Sequence, residues 1–310
     1  RLGSYRTLSQ KPALKVSVDA FVEDQYLYGL EELNLNNMVQ DNSQVHDLLA
    51  YALYNAMGVT SPRVGYLWLK INGTDYGLYL HVESYSDPFL VRNFDDPKGN
   101  LYDGDYYMET WGNYTKLDFY EAHIPYFELD EGDDVGGEDL MSIVTAINMS
   151  AGTSNFDETV GEVVNMDLFT RFWATEMWVG QYDGYNYNTN NYRVYFDPSD
   201  DGRAMFMPWD HDWSFYSGTP ITSPSALLSN YCRVDETCYT LFLEAVADVC
   251  NLAENGDLES ILNQIQPVIN DYIASDPRKE NSYETMISYQ EAARSWIQSR
   301  GSSIRSTWGL

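Results

Sequence analysis

The chain has 310 residues, and 47 acidic against 18 basic side chains give it a net charge of −29. That charge excludes nucleic acid and anionic membrane surfaces as natural partners, since both would repel it. An aromatic content of 15%, with 26 tyrosines, excludes a disordered acidic chain, which would lack material for a core. There is no run of about 18 apolar residues, so no membrane-inserted helix is expected. The chain starts at Arg1 in mid-motif and is expected to continue upstream, so a missing signal peptide carries no weight. The sequons at Asn72, Asn113 and Asn148 weakly favour a secreted or cell-surface setting, where salt screens an acidic exterior.

In chain order, Leu14, Val16, Val18 and Ala20 alternate with Lys15, Ser17 and Asp19, the period of a half-buried strand. A helix follows, with Val45, Leu48, Leu49, Ala52, Leu53, Ala56 and Met57 on one face, Ser43 as the expected cap and Gly58 as the stop. Val64 to Ile71 reads as a strand, Asn72-Gly73 as a tight turn, and Tyr76 to Glu83 as the returning strand. Residues 95–137 are rich in Asp, Gly and Tyr and read as loops and short strands. The acidic stretch Asp130 to Asp139 lacks the spacing of a calcium-binding loop and reads as a solvated loop. Helices are expected around Leu140–Ile147 and Met166–Met177, then short strands at Tyr192–Phe196 and Ala204–Met207. The remainder reads as helical, with Leu258 to Ile273 on one helix, kinked at Pro267, and Met286 to Ile297 on the last. Cys232, Cys238 and Cys250 read either as buried thiols or as a local Cys232–Cys238 disulfide with one thiol left over. Residues 1–90 thus form a small strand-rich part and 91–310 a larger, mostly helical part, with a crevice between them as the expected site.

Five segments carry chemistry. In Pro208-Trp209-Asp210-His211-Asp212-Trp213 two carboxylates stand two apart after a strand, where both can face one divalent cation; the plain alternative is an acidic strand end. The loop from Gln181 to Tyr192 holds Asp183 and the amides Asn186, Asn188, Asn190 and Asn191. It can supply a general base and neutral oxygen ligands, or be a loop filled with turn-formers. Lys15 is a phosphate contact or a solvated strand lysine, and Glu83 a crevice residue or an ordinary strand-end acid. Arg1-Leu2-Gly3-Ser4 is a candidate phosphate-binding turn without a full glycine pattern.

The order of these segments is more specific than any one of them. Arg1-Leu2-Gly3-Ser4, Lys11-Pro12-Ala13-Leu14-Lys15-Val16, Gly58 to Arg63 and Ile71-Asn72-Gly73 come first. Tyr76-Gly77-Leu78-Tyr79 with Glu83, Gly99-Asn100-Leu101-Tyr102, Asn191-Tyr192-Arg193-Val194-Tyr195 and Pro208-Trp209-Asp210-His211-Asp212 follow. This series resembles the spore-coat protein H (CotH) kinase family over nearly the whole chain.

The resemblance implies an α+β, compact, atypical protein-kinase-like fold. It also implies use of ATP with Mg²⁺ or Mn²⁺ to phosphorylate Ser/Thr hydroxyls of a protein substrate, including the enzyme's own. Under it, Asp183 and Lys15 are catalytic, and Arg1, Ser4, Lys15 and Glu83 contact the nucleotide. Asp210, Asn191 and Asp212 hold metal, and Asp47 is the candidate partner of Lys15. Two departures stand out. The first turn reads Arg-Leu-Gly-Ser-Tyr, where the family more often shows an Arg-Gly-Asn-Ser run. Asp183 and Asn191 also stand further apart than their counterparts in an ordinary kinase loop, so Asn186, Asn188 or Asn190 competes for the ligand role. Alternative functions on the same fold are a coat or adhesion protein with cell-surface or coat partners, and a nucleotidyl-transferring enzyme.

Overall fold

The first sheet grows from two hairpins. In this computed structural model, which describes residues 4–22, 25–110, 112–216 and 222–310, β1 (Leu14–Ser17) pairs antiparallel with β2 (Glu32–Asn36), Leu14 opposite Leu35. β1 stops short of the alternating pattern because the chain turns at Asp19, whose carbonyl accepts from the Val22 N–H. β2 carries Leu33 and Leu35 between Glu and Asn, poor strand formers, and its strand state comes from being paired on both sides. α1 (His46–Ala56) follows. Its N-cap position is Val45 rather than Ser43, and the first helical N–H, of His46, donates to the Asp41 carboxylate at 2.8 Å. β3 (Val64–Ile71) and β4 (Thr74–Val82) are joined by Asn72 and Gly73, both with positive φ, as a two-residue hairpin turn requires. The strand order is β1-β2-β4-β3, and Leu78, Leu80 and Val82 of β4 join the core cluster that holds Leu49 and Leu53 of α1.

α2 (Asp87–Asn93) leads into the second part. Here β5 (Leu101–Asp103), β6 (Tyr107–Thr110), β7 (Asn113–Thr115), a 3-10 turn at Glu121–Tyr126 and β8 (Glu128–Glu131) precede α3 (Glu138–Ser150), α4 (Phe156–Val160), α5 (Met166–Val179) and α6 (Tyr185–Asn188). β9 (Tyr192–Asp197) and β10 (Arg203–Pro208) come next, then α7 (Leu227–Cys232), α8 (Glu236–Glu254), α9 (Asp257–Ser275) and α10 (Tyr283–Trp308). α9 is one helix with Pro267 inside it. β10, β9, β5 and β8 form a second antiparallel sheet in that order. Its two members on the β8 side are too short and too acidic for periodicity to reveal. The acidic stretch is also less solvated than expected, because Asp130 pairs with Arg193 and Asp139 accepts from Asn100 and Tyr102.

α5 is the centre of the larger part. Phe169 and Phe172 pack on Phe206 of β10, and Trp173 stacks on Phe242 of α8 with ring centroids 3.6 Å apart. A Cys232–Cys238 disulfide ties α7 to the first turn of α8, and Cys250 stays a buried thiol. The corner between α9 and α10 reaches back to the first sheet. Asp276, buried there, accepts from Lys11 Nζ at 2.7 Å and from the Leu78 N–H at 3.0 Å. Gly77 admits this approach: its φ is +98°, and a Cβ there would lie 2.1 Å from Asp276 Oδ1.

Candidate active site

The crevice between the two sheets is where the sequence-marked segments converge. α5 ends at Gly180 in the left-handed region, and the loop that follows carries Asp183. Beneath it lies Glu176 of α5, fully enclosed, whose Oε2 accepts from the Asn186 N–H at 2.8 Å. Burial pushes the Glu176 carboxyl up to about 8, so it is held largely neutral. Gly184 lets the loop lie on this carboxyl, since a Cβ there would fall 2.0 Å from Glu176 Oε1.

Asp183 is surrounded by amides. Its Oδ1 accepts from Asn188 Nδ2, and its Oδ2 accepts from Asn190 and Asn191 Nδ2, each at 3.1 Å. Burial raises its carboxyl above the ordinary range, the Asn188 and Asn190 bonds oppose this, and the nearby charges of Asp210 and Asp105 add to it. Asn191 also donates to the Asp183 carbonyl, and its own carbonyl accepts from the Trp209 N–H at 3.0 Å. The start of β9 and the end of β10 are thereby locked together beside Asp183, with Asn191 and Asp210 both at φ +52°. Of the four candidate amides, Asn191 is the one hydrogen-bonded to both the Asp183 loop and the Asp210 segment. Asn186 is buried, and Asn188 and Asn190 turn toward Asp183, Lys116 and the Tyr106 N–H.

The other named residues divide. Asp212 is buried and faces the first sheet, its Oδ1 accepting from Asn36 Nδ2 at 3.2 Å. Lys15 is 60% exposed and pairs with Glu32 at 2.8 Å. It does not pair with Asp47, which accepts from Asn36 and from the His211 N–H instead. Lys15 lines a cavity of about 250 Å³ with Ala13, Leu14, Leu35, Val82 and Trp209. Glu83 is a buried anchor for two cations, Arg63 and Arg92. Ser4 is buried, and among the described residues its Oγ has no hydrogen-bond partner. Arg1 lies outside the described residues.

Sequence reasoning missed the guanidinium on the crevice floor. Arg193 of β9 pairs with Asp103 at 2.6 Å and Asp130 at 3.2 Å, reaches Asp105 at 4.0 Å, and lies over the Trp209 ring. Burial pulls it down, but the three carboxylates outweigh burial and hold it above its ordinary value. One Arg inside the otherwise apolar and aromatic run from Tyr192 to Phe196 was the available signal. Lys11 gave no such signal: a lysine beside a proline reads as solvated, yet it is buried against Asp276 while Lys15 stays exposed.

Among the described residues no three His, Cys, Asp or Glu side chains gather closely enough to hold an ion by themselves. Asp210 with the Asn191 amide oxygen is a hard-oxygen pair of the kind Mg²⁺ takes when phosphates and water complete its shell, so the residues fit an ion that arrives with a nucleotide.

A family model described as CotH kinase protein matches residues 3–304. The chain belongs to the CotH kinase family. It is 26% identical over 200 residues to inner spore coat protein H of Bacillus subtilis, covering 62% of this chain and 52% of that protein. It is 25% identical over 188 residues to the invasin CotH2 of Rhizopus delemar, covering 58% of this chain and 31% of the invasin. For the invasin CotH3 of the same organism the figures are 24% over 197 residues, 61% and 32%. The chain therefore spans about half the length of the bacterial relative and about a third of the invasins. The α+β fold fits this membership, and among the described residues no helix is long and apolar enough to cross a membrane.

Proposed function

We propose that this CotH-family chain is an ATP- and divalent-metal-dependent protein kinase that phosphorylates Ser/Thr hydroxyls, its own among them. The observation that carries the reading is the placement of Asp183 beside Asp210, with Asn191 hydrogen-bonded to both segments. Phosphoryl transfer needs a positioned acceptor, a base and charge neutralisation, and little else. The substrate hydroxyl oxygen bonds to the γ-phosphorus, the bond to the β–γ bridging oxygen breaks, and ADP leaves. Asp183 takes the hydroxyl proton, and its raised carboxyl makes it a better base than a solvated aspartate once ionised. Mg²⁺ or Mn²⁺ at Asp210 and Asn191, with Asp212 behind, would neutralise charge developing on the phosphates. The orphan Ser4 hydroxyl is a donor for a phosphate oxygen, Lys15 an exposed cation at the cavity it lines, and Glu83, tied to Arg63 and Arg92, follows Val82 of that cavity in the chain and acts as the hinge.

An acidic crevice repels free nucleotide, so ATP is expected to raise the melting temperature only together with the metal. Asp210→Ala should remove both that shift and the transfer. Unaltered transfer by this variant overturns the reading. A coat or adhesion role, on secreted or surface-displayed protein, is the second reading, supported by the names of the spore-coat and invasin relatives. It predicts partner binding that survives Asp210→Ala with no nucleotide-dependent stabilisation.

A further inference from the structure

All three residues of Asp210-His211-Asp212 are held from one side by α1. The Asp210 N–H donates to the Tyr51 hydroxyl at 3.2 Å. The His211 N–H donates to Asp47 Oδ1 at 2.8 Å, and the His211 ring lies against Tyr51 and Tyr54, with both centroids 5.1 Å away. The Asp212 carbonyl lies 3.1 Å from His46 Nδ1, and Asn36 Nδ2 bridges the Asp212 and Asp47 carboxylates at 3.2 Å each. From the opposite side Gln181 Nε2 donates to the Asp210 carbonyl. Asp210 therefore has its backbone donor and acceptor tied to separate side chains, while its φ of +52° is one that a non-glycine residue adopts at a cost. Such a conformation persists where the surroundings over-determine it, and here two turns of α1 supply most of the determination.

We propose that α1 is the positioning element of the metal-binding segment, with Asp47 and Tyr51 acting directly on Asp210-His211-Asp212 rather than through a lysine. The inference rests on the kinase reading. In it, Asp47 and Tyr51 touch neither nucleotide nor metal; they set where the Asp210 carboxylate stands. A movement of α1 is then read out at Asp210 without passing through Lys15, which pairs with Glu32.

Two variants separate this from plain stability. Tyr51→Phe deletes one oxygen and keeps the ring against His211. Asp47→Asn keeps the volume, but its amide nitrogen faces either Asn36 Nδ2 or the His211 N–H, so one of the two bonds is lost. Ala56→Ser, an exposed position at the end of the same helix, is the control. Amide hydrogen exchange is followed in the metal-free protein, and the Mn²⁺ concentration for half-maximal transfer is measured at saturating ATP. In both variants, exchange over residues 209–213 is expected to quicken by about tenfold, and the Mn²⁺ requirement to rise by about 10- to 100-fold. The control should match the wild type in both. Wild-type exchange at 209–213 in both variants overturns the proposal, as does a quickening spread evenly over the chain. If the wild-type protein transfers no phosphate with Mn²⁺ and ATP, the kinase reading fails, and local against unchanged or uniform exchange still decides the role of α1.

Discussion

Two groups of carboxylates share the crevice, and they are held in opposite ways. Asp183 is held by the uncharged amides of Asn188, Asn190 and Asn191, and Asp212 by that of Asn36. Asp103 and Asp130 are held by the buried guanidinium of Arg193. Asp105 joins the groups, accepting from the Asn191 N–H while standing 4.0 Å from Arg193. An amide donor fixes a carboxylate without cancelling its charge, so the charge remains for a proton or a metal. A guanidinium fixes it and cancels it. Asp103, pushed up to about 7 mainly by burial even with Arg193 beside it, depends on that cation for its place in the interior. On the proposed kinase reading the first group serves the chemistry, while the second holds β5, β8 and β9 together under it.

The largest test of this contrast is Asp183→Asn. On the kinase reading, loss of the base should lower transfer by about 10²–10⁴-fold, while the melting temperature changes little, because removal of a half-buried charge offsets the loss of at least one Asn amide bond. The converse is expected of Arg193→Met. It strands buried carboxylates and should cost about 3–5 kcal/mol of stability in denaturant titration; a near-neutral result would erase the distinction between the groups. Glu176→Gln probes the floor under Asp183. The Glu176 carboxyl is raised when folded, so the stability it contributes is full below the ordinary carboxylate range and is lost as pH rises through about 8. Wild type should therefore lose ground to the Gln variant between pH 5 and pH 8, by roughly a few kcal/mol at most, read as diverging melting temperatures. Ser4→Ala is the mildest. The hydroxyl has no partner to lose among the described residues, so stability should hold, while KM for ATP rises by about tenfold.

Strongly periodic elements are legible in the amino-acid pattern itself. The β3–β4 hairpin, α1, α3, α5 and the long C-terminal helices lie where alternation or a 3.6-residue period puts them. β2, β5 and β8 are not legible in this way. Runs of three to five residues rich in Asn, Asp and Glu carry no period and become strands only when neighbours complete their hydrogen bonds. The bond from the His46 N–H to Asp41 escapes the pattern for a related reason: Ser43 is nearer the helix, but the Asp41 carboxylate reaches its first N–H across a turn.

Order along the chain was enough for the family, for the α+β class and for the short list of acids, amides and lysines that chemistry could use. Which of them meet was decided in three dimensions. Lys15 went to Glu32, Lys11 to Asp276, and Asp47 to the His211 backbone. Partners on different elements, from Lys15 and Glu32 on paired strands to Lys11 and Asp276 at opposite ends of the chain, depend on how the strands pair and the sheets and helices stack, and pattern within a segment carries no record of that. What an acid does in this crevice follows from whether an amide or a guanidinium reaches it, and only the packed chain sets that.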